Sequence, residues 1–285
     1  MIVYLNGEWI PAEQARVSVF DRGFVFGDSV YEVIPVYGYK PFRVTAHVRR
    51  LEASLIAVGM DPHRLSLDWP IFFRQLADTL PSGDGSMYLQ ISRGAAPRQH
   101  AFPANAPLTV FAYARPQIAE SSERLTIGIK AVLLDDIRWS RCDIKSTSLI
   151  ANVLLVQEAL ARGADEALLV RDGHVNEGAV SNVFVVRSSR LMTAPRGHNI
   201  LGGITRDVVL ELASLCAIPL DEQAPTRSEL LAAEEVLVTS STREVTAVTK
   251  IDARPVGSGS PGPIFWQLYN AFQALKDDVR QGIDR

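Results

Sequence analysis

Lysine is scarce in this 285-residue chain: of 29 basic residues only Lys40, Lys130, Lys145, Lys250 and Lys276 are lysines. A reaction that needs a primary amine therefore has few places to find one. Lys40 falls in a turn and Lys130 follows an alternating strand pattern. Lys250 stands two residues from Asp252, and Lys276 lies beside Asp277-Asp278 in an amphipathic stretch. These four read as solvated charges. Lys145 differs, because Cys142-Asp143-Ile144-Lys145-Ser146-Thr147-Ser148 runs directly into the apolar stretch from Leu149 to Leu155. A lysine packed among apolar groups has a lowered pKa, and a neutral amine attacks a carbonyl to form a Schiff base. The same segment also reads as a lysine paired with Asp143 at a helix start, and local sequence leaves both readings open.

Three further places could hold charge. Glu177 stands before Gly178-Ala179-Val180-Ser181-Asn182-Val183-Phe184, where a carboxylate at the end of a turn could keep a heterocyclic nitrogen protonated. It also reads as an ordinary loop glutamate before a turn glycine. Leu201-Gly202-Gly203-Ile204-Thr205-Arg206 opens an amphipathic helix, whose first N–H groups and dipole favour an anion. Ser240-Ser241-Thr242, after Val236-Leu237-Val238, offers hydroxyls and N–H groups to phosphate oxygens, and Arg50 could add a full positive charge. In Arg93-Gly94-Ala95-Ala96-Pro97-Arg98-Gln99-His100, Arg98 and His100 alternate, so an extended loop points both the same way. Such a pair suits a carboxylate, gripped by the arginine fork.

The elements that must position these groups follow from pattern. Ile2–Leu5, Asn6-Gly7 and Glu8–Ile10 read as a hairpin with a type I′ turn. Val30–Tyr37 and Phe42–Val44 form a strand pair that carries Tyr31. Thr45 is placed to cap a helix ending at Gly59. A second helix follows Asp68, and Met87–Ser92 and Leu108–Ala114 are strands around the loop of Gly94–Pro107. Residues 116–124 lose periodicity and read as a linker, which divides the chain into an N-terminal domain, 1–115, and a C-terminal domain, 125–285. In the second, Leu125–Leu134, Glu166–Val170, Val180–Val186, Glu235–Thr239 and Val245–Ile251 read as strands. Ser148–Arg162, Thr205–Cys216 and Ile264–Val279 read as helices. Hairpins and bunched helices favour two α+β domains over a doubly wound sheet.

Composition narrows the rest. The net charge is −3, which argues against nucleic acid and polybasic membrane partners. No uncharged apolar run approaches the ~20 residues that span a bilayer. The N-terminal residues do not resemble a signal peptide, so the cytoplasm is the expected compartment. Two cysteines and five histidines, without a helical pair or HExxH, argue against a metal site.

Taken together, the lysine segment, the acid segment E-x-x-x-S-N-x-F and Gly203-Ile204-Thr205-Arg206, in that order, resemble the class IV (fold type IV) pyridoxal-phosphate aminotransferases. The resemblance runs from Asn6-Gly7 to the terminal helix. It implies a smaller N-terminal α/β domain, a larger C-terminal domain with a barrel-like sheet, and pyridoxal 5′-phosphate at the domain interface. It also implies Lys145 as covalent anchor and base, and Glu177 as partner of the ring nitrogen. Arg50, Ile204, Thr205, Ser241 and Thr242 would hold the phosphate, with Ser181, Asn182 and Leu201 around the cofactor. Arg98 and His100, with Tyr31, resemble the carboxylate trap of the D-amino-acid branch, and Arg138-Trp139-Ser140-Arg141 also resembles that branch. There the trap loop serves a partner subunit, so a homodimer is implied, acting on amino and 2-oxo acids. Branched-chain L-aminotransferases, (R)-amine aminotransferases and aminodeoxychorismate lyases resemble the remainder of the chain.

Overall fold

A computed structural model describes residues 1–117 and 122–283. The chain folds into two compact units. The first is Met1–Ile118 with Ile144–Leu149 and Asp277–Arg285; the second is Ala119–Asp143 with Ile150–Lys276. The segment that carries Lys145 thus groups with the N-terminal unit, although it follows residues 116–124 in sequence.

The first unit is built on a six-stranded antiparallel sheet, in spatial order Glu8–Pro11, Ile2–Leu5, Thr109–Pro116, Gly85–Ser92, Ser29–Tyr37 and Lys40–Pro41. Asn6 and Gly7 both take positive φ, 51° and 103°, as the expected hairpin turn requires. Helices Val44–Ala57 and Trp69–Ala77 bury Leu51, Leu55, Phe72, Phe73 and Leu76 against Ile34, Val36, Met87 and Leu89 of the sheet. The first helix starts one residue before Thr45: Arg43 is its N-cap, in the left-handed region at φ 53°, without a side-chain bond.

A mixed nine-stranded sheet forms the second unit. Its main path runs Leu220–Asp221, Arg190–Met192, Asn182–Arg187, Glu235–Ser240, Glu244–Ile251, Ile129–Asp135, Glu166–Arg171 and His174–Gly178. The last of these strands curls back against Asn182–Arg187, which gives the expected barrel-like form. Leu155 and Ala159 of helix Ile150–Ala161 cover Val132, Leu134 and Leu169. Helix Ile204–Leu215 packs on the strands Glu235–Ser240 and Glu244–Ile251.

Several element boundaries differ from expectation for local reasons. Of the expected linker 116–124, residues 118–121 lie outside the described residues. Pro116 ends a strand, and Ser122–Ile127 is a helix. The strand expected over Leu125–Leu134 is therefore Ile129–Asp135, because Gly128 closes the helix by donating to the Arg124 carbonyl at 2.9 Å with φ +72°. The helix expected from Ser148 begins at Ile150 instead. The hydroxyls of Thr147 and Ser148 are committed to the Gly27 carbonyl, each at 3.2 Å.

Lys276 is not the solvated charge its sequence suggests. It is 9% exposed, and its ammonium donates to Glu244 at 2.7 Å and to Gln273 at 3.0 Å. Truncating one partner of a buried pair leaves the other charge uncompensated. Lys276→Ala is expected to cost about 3 kcal/mol, read as a lower urea midpoint, with Lys276→Arg losing less. An unchanged midpoint would contradict the pairing.

Candidate active site

In the first unit, the sheet itself places Lys145. The amide of Tyr31 donates to the Lys145 carbonyl at 3.0 Å, Thr147 donates to the Ser29 carbonyl at 3.0 Å, and Val30 bridges Ser146. Residues 145–147 therefore act as an added edge strand beside the start of Ser29–Tyr37. From the other side, Ser54 Oγ accepts the Lys145 amide at 3.3 Å. Lys145 Nζ lies 4.2 Å from the centroid of the Tyr31 ring, which stacks in turn on Tyr88 at 5.7 Å. The alternative partner is taken, since Asp143 bonds Arg141 through both carboxylate oxygens, at 3.0 and 2.9 Å.

The neighbouring strand residue, Glu32, points to the opposite face and is 1% exposed. His47 and Arg50 lie three residues apart on helix Val44–Ala57, so they share a face and meet it together. Arg50 donates to both Glu32 oxygens at 2.8 Å, and His47 Nδ1 lies 2.7 Å from Oε2. Burial would push the Glu32 carboxyl up, but Arg50 and His47 outweigh it and hold the group far below the usual carboxylate range. Burial pushes His47 down more strongly than Glu32 raises it, and its buried Nε2 has no hydrogen-bond partner among the described residues. Sequence reasoning found Arg50 but missed Glu32 and His47. Their signal was a glutamate inside an otherwise apolar strand and a His-x-x-Arg spacing on the next helix.

The loop after strand Gly85–Ser92 is anchored at its start by Arg93, which is a structural residue. It bonds both oxygens of Asp28, at 2.7 and 3.0 Å, and the carbonyls of Val58 and Gly59. Further along, Arg98 and His100 both approach the ring of Phe26, with the guanidinium carbon at 5.2 Å and the imidazole centroid at 5.4 Å. The alternation in sequence thus brings the two side chains to one aromatic surface. Tyr31 is not part of that group; its ring contacts are Lys145 and Tyr88.

In the second unit, Glu177 is 4% exposed at the end of strand His174–Gly178. One carboxylate oxygen accepts from Arg138; the other accepts from Asn182 Nδ2 and from the Leu201 amide, both at 3.0 Å. Burial pushes its carboxyl up to about 7 against the pull of Arg138 and the Leu201 N–H. Arg138 is held in turn by fully buried Asp136, at 2.8 and 2.9 Å. Asn182 also donates to the Leu201 carbonyl at 2.8 Å, so one amide ties Glu177 to the 201–203 turn. Ser181 supports this corner from behind by donating to buried Glu166 at 2.9 Å. Asp136, Arg138 and Glu166 had no role assigned from sequence, because a charge network between strands leaves no local spacing to read. Nearby Cys142 is buried, and burial raises its thiol pKa, so it is a packing residue and no thiolate nucleophile.

Helix Ile204–Leu215 opens at Gly203, whose position has no side-chain capping bond. A Cβ on Gly203 would collide with Asn182 Oδ1, so only glycine fits there. Ile204 and Thr205 are buried in the first turn. Arg206 turns away and is fully buried on the Ala194 carbonyl and Glu222, at 2.8 and 2.7 Å. Ser241 and Thr242 form the turn between strands Glu235–Ser240 and Glu244–Ile251, on which this helix packs. A buried carboxyl poised near neutrality, together with an uncapped helix start, fits a ligand that carries a basic ring nitrogen and a phosphate.

Residues 29–251 match the family described as amino-transferase class IV. A D-alanine aminotransferase of Bacillus licheniformis is 41% identical over 96% of each chain. One from Staphylococcus aureus (strain COL) is 39% identical over 95% of this chain and 96% of its own. Among solved structures, the branched-chain amino acid aminotransferase of Escherichia coli superposes with a TM-score of 0.86 at 27% identity, over 96% of this chain and 94% of that one. A T.th. branched-chain amino acid aminotransferase, solved with pyridoxamine 5′-phosphate, also reaches 0.86 at 27% identity, over 99% and 95%.

With its guanidinium partner gone, Glu177 would keep the burial and lose the main opposing charge. Arg138→Leu is expected to move the Glu177 ionisation midpoint up by about one pH unit or more, measured by carboxyl-carbon NMR of cofactor-free protein. A midpoint that stays in place would show that Arg138 does not set this charge.

Proposed function

The chain belongs to the class IV aminotransferases, and from that premise we propose that it moves the amino group of a D-amino acid of the D-alanine type to a 2-oxo acid such as 2-oxoglutarate or pyruvate. The observation that carries this reading is the near-full-length identity of about two residues in five to relatives named D-alanine aminotransferase. The shared face of Arg98 and His100 supports it. A branched-chain L-aminotransferase is the second reading, favoured by the similarity of fold to those enzymes at 27% identity.

Pyridoxal 5′-phosphate, when bound, supplies the electron sink that stabilises negative charge at the substrate Cα. In this reading Lys145 Nζ would be its covalent anchor and, when free, the base that takes up the proton at the substrate Cα. The edge-strand pairing of residues 145–147 supports that role, because a base must hold its position while the proton moves. Glu177 holds positive charge on the ring nitrogen, as a carboxylate poised near neutrality ionises readily beside a cation. The N–H groups of Ile204 and Thr205, with Ser241, Thr242 and Arg50, hold the phosphate. Leu201 would line the cofactor site, with Ser181 and Asn182 supporting the corner that carries it. Across the homodimer of this reading, the partner subunit's Arg98 and the partner subunit's His100 would join Tyr31 in gripping the substrate carboxylate and so decide which Cα substituent faces Lys145. A homodimer and a cytoplasmic location belong to the same reading. No helix of the described residues is long and apolar enough to cross a membrane.

Two substitutions test the assignment. Lys145→Ala is expected to lose the visible absorbance of the holoenzyme and nearly all turnover; normal turnover would remove the lysine from the chemistry. Arg98→Ala is expected to raise KM for D-alanine on the order of a hundredfold, the scale for truncating a desolvated charge pair. Rapid mixing of the holoenzyme with D-alanine, L-alanine and L-leucine separates the two readings. A spectral change with L-leucine alone would favour the branched-chain activity.

A further inference from the structure

Arg98 and His100 are exposed side chains whose ring nitrogens and guanidinium make no hydrogen bond among the described residues. Exposed arginine carries large rotamer freedom, so a clamp built from such groups needs something to hold it in one arrangement. Helix Arg22–Phe26 supplies the candidate. Arg22 is 4% exposed and fixes the loop backbone: Nη1 donates to the Gln99 carbonyl at 2.5 Å and to that of Ala101 at 3.4 Å, while Nη2 reaches the His100 carbonyl at 3.4 Å. Its own Nε is locked to Asp28 at 2.7 Å, the same carboxylate that holds Arg93. At the loop base, Gly94 has φ +88°, and a Cβ there would collide with the Pro107 carbonyl oxygen. The backbone is thus held at several points, while the two side chains above it share the Phe26 ring with Arg22, whose guanidinium carbon lies 4.8 Å from its centroid.

We propose that Phe26 is the positioning residue of the carboxylate clamp, an aromatic floor that orients Arg98 and His100 so that their free N–H donors converge on one carboxylate. A π face attracts the guanidinium without using any of its N–H donors. A carboxylate in that place would have drawn the arginine into a salt bridge and consumed the donors the substrate needs. An aliphatic floor would have left the guanidinium's orientation loose. This inference rests on the assignment of Arg98 and His100 to the substrate carboxylate. It adds that discrimination for carboxylate-bearing amino donors and 2-oxo acceptors depends on a ring that itself touches neither.

Steady-state kinetics of the holoenzyme with D-alanine and 2-oxoglutarate provide the test. Phe26→Leu keeps apolar bulk and removes the π face. It is expected to raise KM for both substrates about fivefold, the size of a partly exposed cation–π contact, with kcat and the cofactor absorbance held. Phe26→Tyr is expected to restore both KM values. In an Arg98→Ala background Phe26→Leu should add no further rise. A further rise in that double variant, or a KM unchanged in Phe26→Leu while Arg98→Ala raises it, overturns the proposal alone. An unchanged KM in Arg98→Ala overturns the clamp assignment itself. Phe26→Met serves the same comparison where the leucine variant gives no folded holoenzyme.

Discussion

Fixing the position of a lysine amine requires more than the right segment, because the side chain has four rotatable bonds and every freedom upstream of them multiplies the error at the nitrogen. Here the upstream freedom is removed by main-chain pairing. The Tyr31 amide and the Lys145 carbonyl, reinforced by Thr147 to Ser29, make residues 145–147 a short extension of the six-stranded sheet. The Tyr31 ring then sits beneath the ammonium. Everything else in that unit follows from this edge: Ser54, on the helix that also carries His47 and Arg50, closes it from the other side.

Buried charge is organised differently in the two units. Around Glu32, opposite charges nearly match, and the carboxylate is held ionised by Arg50 and His47. Around Glu177, burial wins over Arg138, because that guanidinium is shared with Asp136. One carboxylate is a fixed countercharge and the other responds to its surroundings. Both sit on strands, Glu32 in a regular ladder and Glu177 where the pairing of His174–Gly178 with Glu166–Arg171 shifts register.

Most of this was legible in sequence wherever a function leaves a local spacing. The lysine before an apolar run, the Gly-Gly before a helix, the alternation of Arg98 with His100 and the Asn-Gly hairpin all depend on neighbours within a few residues. The resemblance to class IV aminotransferases added the barrel-like sheet. What was not legible is long-range. Asp136, Arg138 and Glu166 serve Glu177 and Ser181 across strands, and Lys276 reaches Glu244 from another element. Gly128 between a short helix and a strand was hidden because both elements share one apolar run.

Neither compact unit is a continuous stretch of polypeptide. The first collects Met1–Ile118, then Ile144–Leu149, then Asp277–Arg285, where Arg280 bonds Asp84 at 2.6 Å. Exchange of modules between homologous genes at a breakpoint in residues 116–124 would therefore separate strand Ser29–Tyr37 from the lysine segment and the chain end that evolved against it. A chimera designed with a single crossover there would set two foreign segments, 144–149 and 277–285, against the main body of the first unit.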